Sequence, residues 1–231
     1  MSVDFDPVNN QKLYIQIYTQ VLDKIKSGAF QVGDKLPSEK ELCKQFNVSR
    51  APVREALCAL ELNGIVDSIR GGGVYVTSLD FQDGTEEMQI PPHDIIEART
   101  FIEPHLAGLA AINATKENLE ELDMIIGTME QEVNEGVYLP DTDKRFHELI
   151  AEASHNEVYK LIMLDLAKAM DQQMWSLIRD RTVTIPEHRQ VNFEEHKEIA
   201  VAIRAKDQKM ATQKMKNHMK HLFNRYWKES F

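Results

Sequence analysis

Apolar residues recur at helical spacing along most of this chain. Leu13, Ile17, Val21 and Ile25 mark one stripe of a first helix over residues 10–27, and Gly28 stops it. A turn-rich connection runs from Val32 to Ser38. Ser38 with Glu41 three positions on spells a capping box for a short second helix, with Leu42 and Phe46 on its apolar face and an end near Asn47. Ser49 stands where it caps a third helix, and Pro52 sits in the first turn, where no backbone donor is required. Val53, Ala56, Leu57 and Leu60 make the buried stripe of that helix, and Gly64 ends it. From Ile65 to Val76 the pattern changes to two short strands around a glycine-rich tip. Helix, helix, turn, helix, hairpin is the order of a winged helix-turn-helix.

Residues 77–92 have no sustained periodicity and end in Pro91-Pro92, which is a boundary signal. Everything beyond reads as helix: 93–113, 115–135, 140–154, 156–181, 187–205 and 207–229. Without strand-like alternation, six helices in one bundle is the economical architecture. The expected fold is therefore mainly α: a winged helix-turn-helix over 1–76, a linker over 77–92, and an all-α six-helix bundle over 93–231.

Length agrees with two domains, since 231 residues exceed the usual size of one. The formal net charge of -10 looks unsuited to nucleic acid until it is divided. Residues 1–76 hold nine Lys/Arg and nine Asp/Glu, whereas residues 77–231 hold 18 and 28. All the acidity belongs to the second part, and a neutral module still binds DNA when its cations share one face. No apolar run approaches the roughly 20 residues of a bilayer span. The first residues are acidic where a signal peptide is basic, so a cytoplasmic protein is expected. Cys43 and Cys58 give neither a disulfide framework nor a metal motif.

Candidate chemistry lies in both parts. With Val53, Leu57 and Leu60 inward, Arg50 and Arg54 fall near the exposed start of the third helix, where planar guanidinium forks reach guanine edges. Ser49 and Lys40 suit phosphates, and Arg70 on the hairpin tip suits the minor groove. A merely solvated helix is the plainer alternative. In the second part, Asp143 and His147 are four apart on one helix face. His196 shares a face with Ile199, Ala200 and Ile203, and His218 lies between Met215 and Leu222. His221 falls on a solvated face. Three imidazoles and a carboxylate aimed into a core fit a metal site, and hydrogen-bonded core histidines are the competing reading. Arg99, in line with Ile95, Ile102 and Leu106, fits either a counter-charge for an anionic ligand or an ion pair with Glu103.

The stretches Gly33 to Leu42, Phe46 to Leu57, Leu60 to Ile65 and Arg70 to Val76 closely resemble the N-terminal domain of GntR-family bacterial transcription regulators. That resemblance implies that Ser38, Lys40, Ser49, Arg50, Pro52, Arg54, Arg70 and Gly72 line operator DNA. Glu97 to Pro104, Ala107 to Ala111, Asp143 to His147 and Ser154-His-Asn156, with the late His196 and His218, resemble the FCD effector domain of the FadR-type subgroup. Many such domains bind a divalent metal through one Asp and three His, which implies Asp143, His147, His196 and His218 as ligands, with Zn or Ni as the ion. Six helices fit the shorter, metal-bearing branch. The implied protein is a homodimeric, ligand-responsive regulator, most often a repressor. It would read a pseudo-palindrome, with a small carboxylate effector beside the metal and Arg99 as its counter-charge. Two alternatives remain. One is a purely structural metal with no effector. The other is a metal hydrolase, which four protein ligands and the lack of any hydrolase signature disfavour.

Overall fold

The computed structural model describes residues 12–69, 71–79, 90–182 and 185–227, with only the backbone at position 181. Arg70 and most of the expected linker lie outside these residues. The chain divides into two compact units, 1–86 and 87–231.

In the first unit, α1 (Leu13–Lys26), α2 (Glu39–Phe46) and α3 (Arg50–Leu62) precede a hairpin of β1 (Val66–Ile69) and β2 (Gly73–Val76). The α1 stripe of Ile17, Val21 and Ile25 is buried together with Val53, Leu57 and Leu60 of α3. The expected capping box is present: Glu41 N donates to Ser38 Oγ at 3.3 Å, and Ser38 N donates to Glu41 Oε2 at 2.8 Å. Asn47, at φ 55°, makes the left-handed turn that lets α3 cross α2. The hairpin is antiparallel, registered Val66 to Val76 and Ile69 to Gly73. Leu36 N donates to Val74 O at 2.8 Å, so the α1–α2 connection also leans on β2.

The second unit is all helix: α4 (Pro92–Asn113), α5 (Lys116–Asn134), α6 (Pro140–Ala153), α7 (Glu157–Ala169), α8 (Gln173–Thr182), α9 (Pro186–Arg204) and α10 (Gln208–Trp227). Seven helices among the described residues replace the expected six, because the segment over 156–181 is two helices. No Gly or Pro marks that break. Met170 N and Asp171 N close tight turns onto Ala167 O and Lys168 O, both at 3.1 Å. The turn carries Met170 and Trp175 inward, with Met170 Sδ 3.2 Å from Arg99 Nη1. Tertiary packing, rather than local propensity, sets the break.

Helix α4 runs through the core, with Ile95, Ile96, Leu106, Ala107 and Ala110 at 1% exposure or less. Ala211, Met215, Met219 and Leu222 of α10 are buried in the same core. The two helices approach closely at Gly108, where an added Cβ would fall on the Thr212 hydroxyl. Helices α6 and α9 complete the walls and bring their histidines to the centre.

Candidate metal centre and ligand pocket

Helix α6 begins at Pro140, in a position that needs no amide donor. Glu132 of α5 holds its start by accepting from Leu139 N at 3.2 Å and from the Thr142 hydroxyl. Asp143 and His147 then rise one turn apart. Ring nitrogens of His147, His196 and His218, all buried, lie within 4.8 Å of one another. His147 Nε2 and His196 Nε2 are 3.4 Å apart. Asp143 stands beside them, Oδ1 at 3.3 Å from His196 Nε2 and Oδ2 at 4.0 Å from His147 Nε2. Asn192 Nδ2 steadies that carboxylate at 3.2 Å.

His196 and His218 are hydrogen-bonded at the other nitrogen, and His147 has a carboxylate close to it. His196 Nδ1 meets Asn192 O at 2.6 Å, His218 Nδ1 meets Glu195 Oε2 at 2.8 Å, and His147 Nδ1 lies 2.5 Å from Glu103 Oε2. With Nδ1 turned outward, Nε2 is left for the centre, and His218 Nε2 is buried there without a protein partner. Outer carboxylates and carbonyls that fix the tautomer and aim of an imidazole are what metal ligation requires. The three imidazole nitrogens fit a divalent ion in donor chemistry and spacing, and the Asp143 carboxylate lies beside two of them.

Charge is arranged accordingly. Burial would raise the Asp143 carboxyl, but His196, His147 and Arg99 hold it well below the usual range. Burial, then the neighbouring His196, pushes His218 down to about 3, and burial also lowers His147. Both rings are thus neutral near pH 7, the form that ligates a metal. Glu103 resists its own burial and sits at about 2 because Arg99 and His147 face it.

A pocket of about 470 Å³, counting its solvent-open mouth, reaches this cluster at Asp143 and His218. Arg99 lines it, together with Tyr138, Trp175, Arg179 and Tyr226. Arg99 also makes the ion pair with Glu103, Nε to Oε1 at 2.5 Å. Its Nη2 is buried without a protein hydrogen-bond partner.

In the winged helix, Lys40 and Ser49 are exposed, Arg50 and Pro52 are half-buried, and the Ser38 hydroxyl is occupied in its capping box. Ser49 occupies the N-cap of α3 without a side-chain capping bond. Gly72 sits in the hairpin turn, its N donating to Ile69 O at 2.8 Å. Arg54 differs from expectation. Its side chain is 1% exposed and its Nε lies 3.0–3.1 Å from both Glu39 carboxylate oxygens. The face of α3 that carries Arg54 is covered by α2, so Arg50 and Arg54 do not stand together in solvent.

Sequence reasoning missed Glu195, Asn192 and Arg179. Glu195 accepts from His218, from His221 at 2.5 Å and from Arg225 at 3.0 Å, so the solvent-facing His221 is tied to the cluster. Its adjacency to His196 was the available signal. Asn192 stands one turn before His196, and Arg179 carried no signal at all.

A winged helix joined to a separate all-helical unit defines a DNA-binding transcription regulator. The FCD domain family matches residues 94–221, and the family described as bacterial regulatory proteins, gntR family, matches residues 13–76. The chain belongs to the GntR family, in its FCD-domain form. It is 29% identical to the Uxu operon regulator of Haemophilus influenzae, over 91% of this chain and 80% of that one. It is 27% identical to the transcriptional repressor NanR of Cronobacter sakazakii, over 94% and 86%. The Listeria monocytogenes protein Lar shares the fold, with a TM-score of 0.51 at 19% identity, over 96% of this chain and 100% of that one. The relatives are named as regulators, and the chain is not an enzyme. No described helix is long and apolar enough to cross a membrane.

Proposed function

We propose that the helical unit, residues 93–231, holds a divalent metal and a small organic acid, and that the acid controls operator binding by the winged helix, residues 1–76. Asp143, His147, His196 and His218 would hold the ion, of the Zn or Ni class. Bound there, it would supply a Lewis-acidic docking point for a carboxylate. Arg99 then serves as the protein's own counter-charge, through a charge-assisted hydrogen bond from Nη2.

One observation carries this reading: His196 and His218 are hydrogen-bonded outward at Nδ1 and His147 Nδ1 lies against the Glu103 carboxylate, while His218 Nε2 and Arg99 Nη2, which are buried and lack protein hydrogen-bond partners, belong to residues lining one pocket. Burying such groups costs free energy unless a ligand satisfies them.

On DNA, Lys40 and Ser49 would contact phosphates and Arg50 base edges, with Ser38, Pro52 and Gly72 shaping the same surface. Arg54 would act from behind, through the Glu39 pair that seats α3 on α2. Two winged helices in a homodimer would read the halves of a pseudo-palindrome. The acid would act by favouring the dimer arrangement with the lower operator affinity, the shift being limited by its differential affinity for the two arrangements. NanR's description as a repressor supports repression here as well.

The test is operator affinity of the metal-loaded chain, on a DNA fragment selected by binding, with and without small carboxylates. An acid-dependent loss of affinity supports the sensor. Unchanged affinity across the series points to an ion that only ties three helices together.

A further inference from the structure

The pocket holds more cationic chemistry than one carboxylate uses. Arg99 faces the imidazole side. Its Nε is committed to Glu103, its Nη1 rests on the uncharged Met170 sulfur at 3.2 Å, and its buried Nη2 has no protein partner. Arg179 of α8 lines the same pocket, with its side chain 16% exposed. Its ion pair is with the next residue, Asp180, at 3.1 Å, and that carboxylate is 59% exposed. A pair so close to solvent contributes little and yields readily to a better placed anion.

The pocket's own carboxylates do not answer Arg179. Asp143 belongs to the imidazole cluster, and Asp171 is held by Lys144 at 2.8 Å. Asp141 lies exposed at the rim. Arg99 and Arg179 line this pocket together with the phenols of Tyr138 and Tyr226. In the same lining, Met170, Trp175 and Leu222 offer apolar surface to a short carbon skeleton.

We infer that the effector is a dianion, a short dicarboxylic acid whose two ends are read separately, one by Arg99 beside the imidazole cluster and one by Arg179 on α8. This rests on the reading above that the pocket takes a carboxylate, and it adds what selects among carboxylates. A monocarboxylate satisfies Arg99 alone. A second acid group also engages Arg179, as planar bidentate recognition favours.

The experiment titrates the metal-loaded full-length chain with malonate, succinate, glutarate and adipate, and with the monocarboxylates of matched length from propionate to hexanoate. Trp175, on the pocket wall, reports binding by fluorescence, and calorimetry confirms it. At least one dicarboxylate should bind about tenfold to a hundredfold more tightly than its matched monocarboxylate, the range of one added charged hydrogen-bonding group. Arg179→Gln should erase that preference and leave monocarboxylate affinity within about twofold of the parent. Equal affinities for matched pairs in the parent chain would overturn the inference while leaving the carboxylate pocket intact, as would equal loss of both classes in Arg179→Gln. Failure of every acid to bind the metal-loaded parent would overturn both readings together.

Discussion

Removing the Glu103 carboxylate should cost the helical unit more than any single polar change at its surface. Arg99 and Glu103 form an ion pair in which both side chains are 2% exposed, and His147 lies 2.5 Å from the second carboxylate oxygen. Glu103→Ala leaves the Arg99 guanidinium in the core, with only the Met170 sulfur on one of its nitrogens. Breaking one partner of such a buried pair costs about 3–5 kcal/mol. For a unit of this size each kcal/mol moves the midpoint by about 2–4 °C, so a fall of roughly 10 °C is expected. Melting the metal-free protein by circular dichroism keeps ion loss at His147 out of the measurement. Replacing both partners, Arg99→Met with Glu103→Leu, removes the stranded charge and should restore most of the stability while abolishing acid binding. A metal-free Glu103→Ala midpoint within about 2 °C of the parent would refute the argument that this pair compensates a buried charge.

Other substitutions separate the remaining roles. Arg50→Ala should weaken operator binding without moving the melting midpoint. Arg54→Ala should weaken binding and also destabilise the winged helix, because it strips the Glu39 anchor; anisotropy and melting on both variants check the contrast. Glu195→Gln should lower metal affinity by about 10–100-fold in a chelator competition, since Glu195 aims His218. Unchanged affinity would show that the His218 tether has no part in ligation. Gly108→Val should lower the helical unit's midpoint, because the new side chain meets Thr212 where α4 and α10 pack closely; a neutral result would mean that this contact relaxes freely.

Local chemistry explains why so much was legible before any coordinates. The Ser38–Glu41 box, the Asn47 turn and the Gly28 and Gly64 stops are encoded within a few residues, and each is present. The Asp143–His147 pair was readable because spacing of four fixes a shared helix face, and the burial of His196 and His218 followed from their apolar neighbours. The break at Met170 was hidden because it depends on what the turn packs against. Arg54 misled for a similar reason: phase on α3 gives a direction, but only the position of α2 says that this direction is covered. The outer tethers were illegible because Glu103 and Glu195 acquire meaning only when helices distant in sequence meet.

The central claim is that the imidazole cluster is a metal centre. Its most direct test is elemental analysis of the untagged protein, purified without a chelating column, beside His196→Ala of matched helical content. The account predicts about one divalent ion per chain in the parent and none retained in the variant. A parent chain that takes up no ion under loading, or a variant that keeps its full complement, would contradict it.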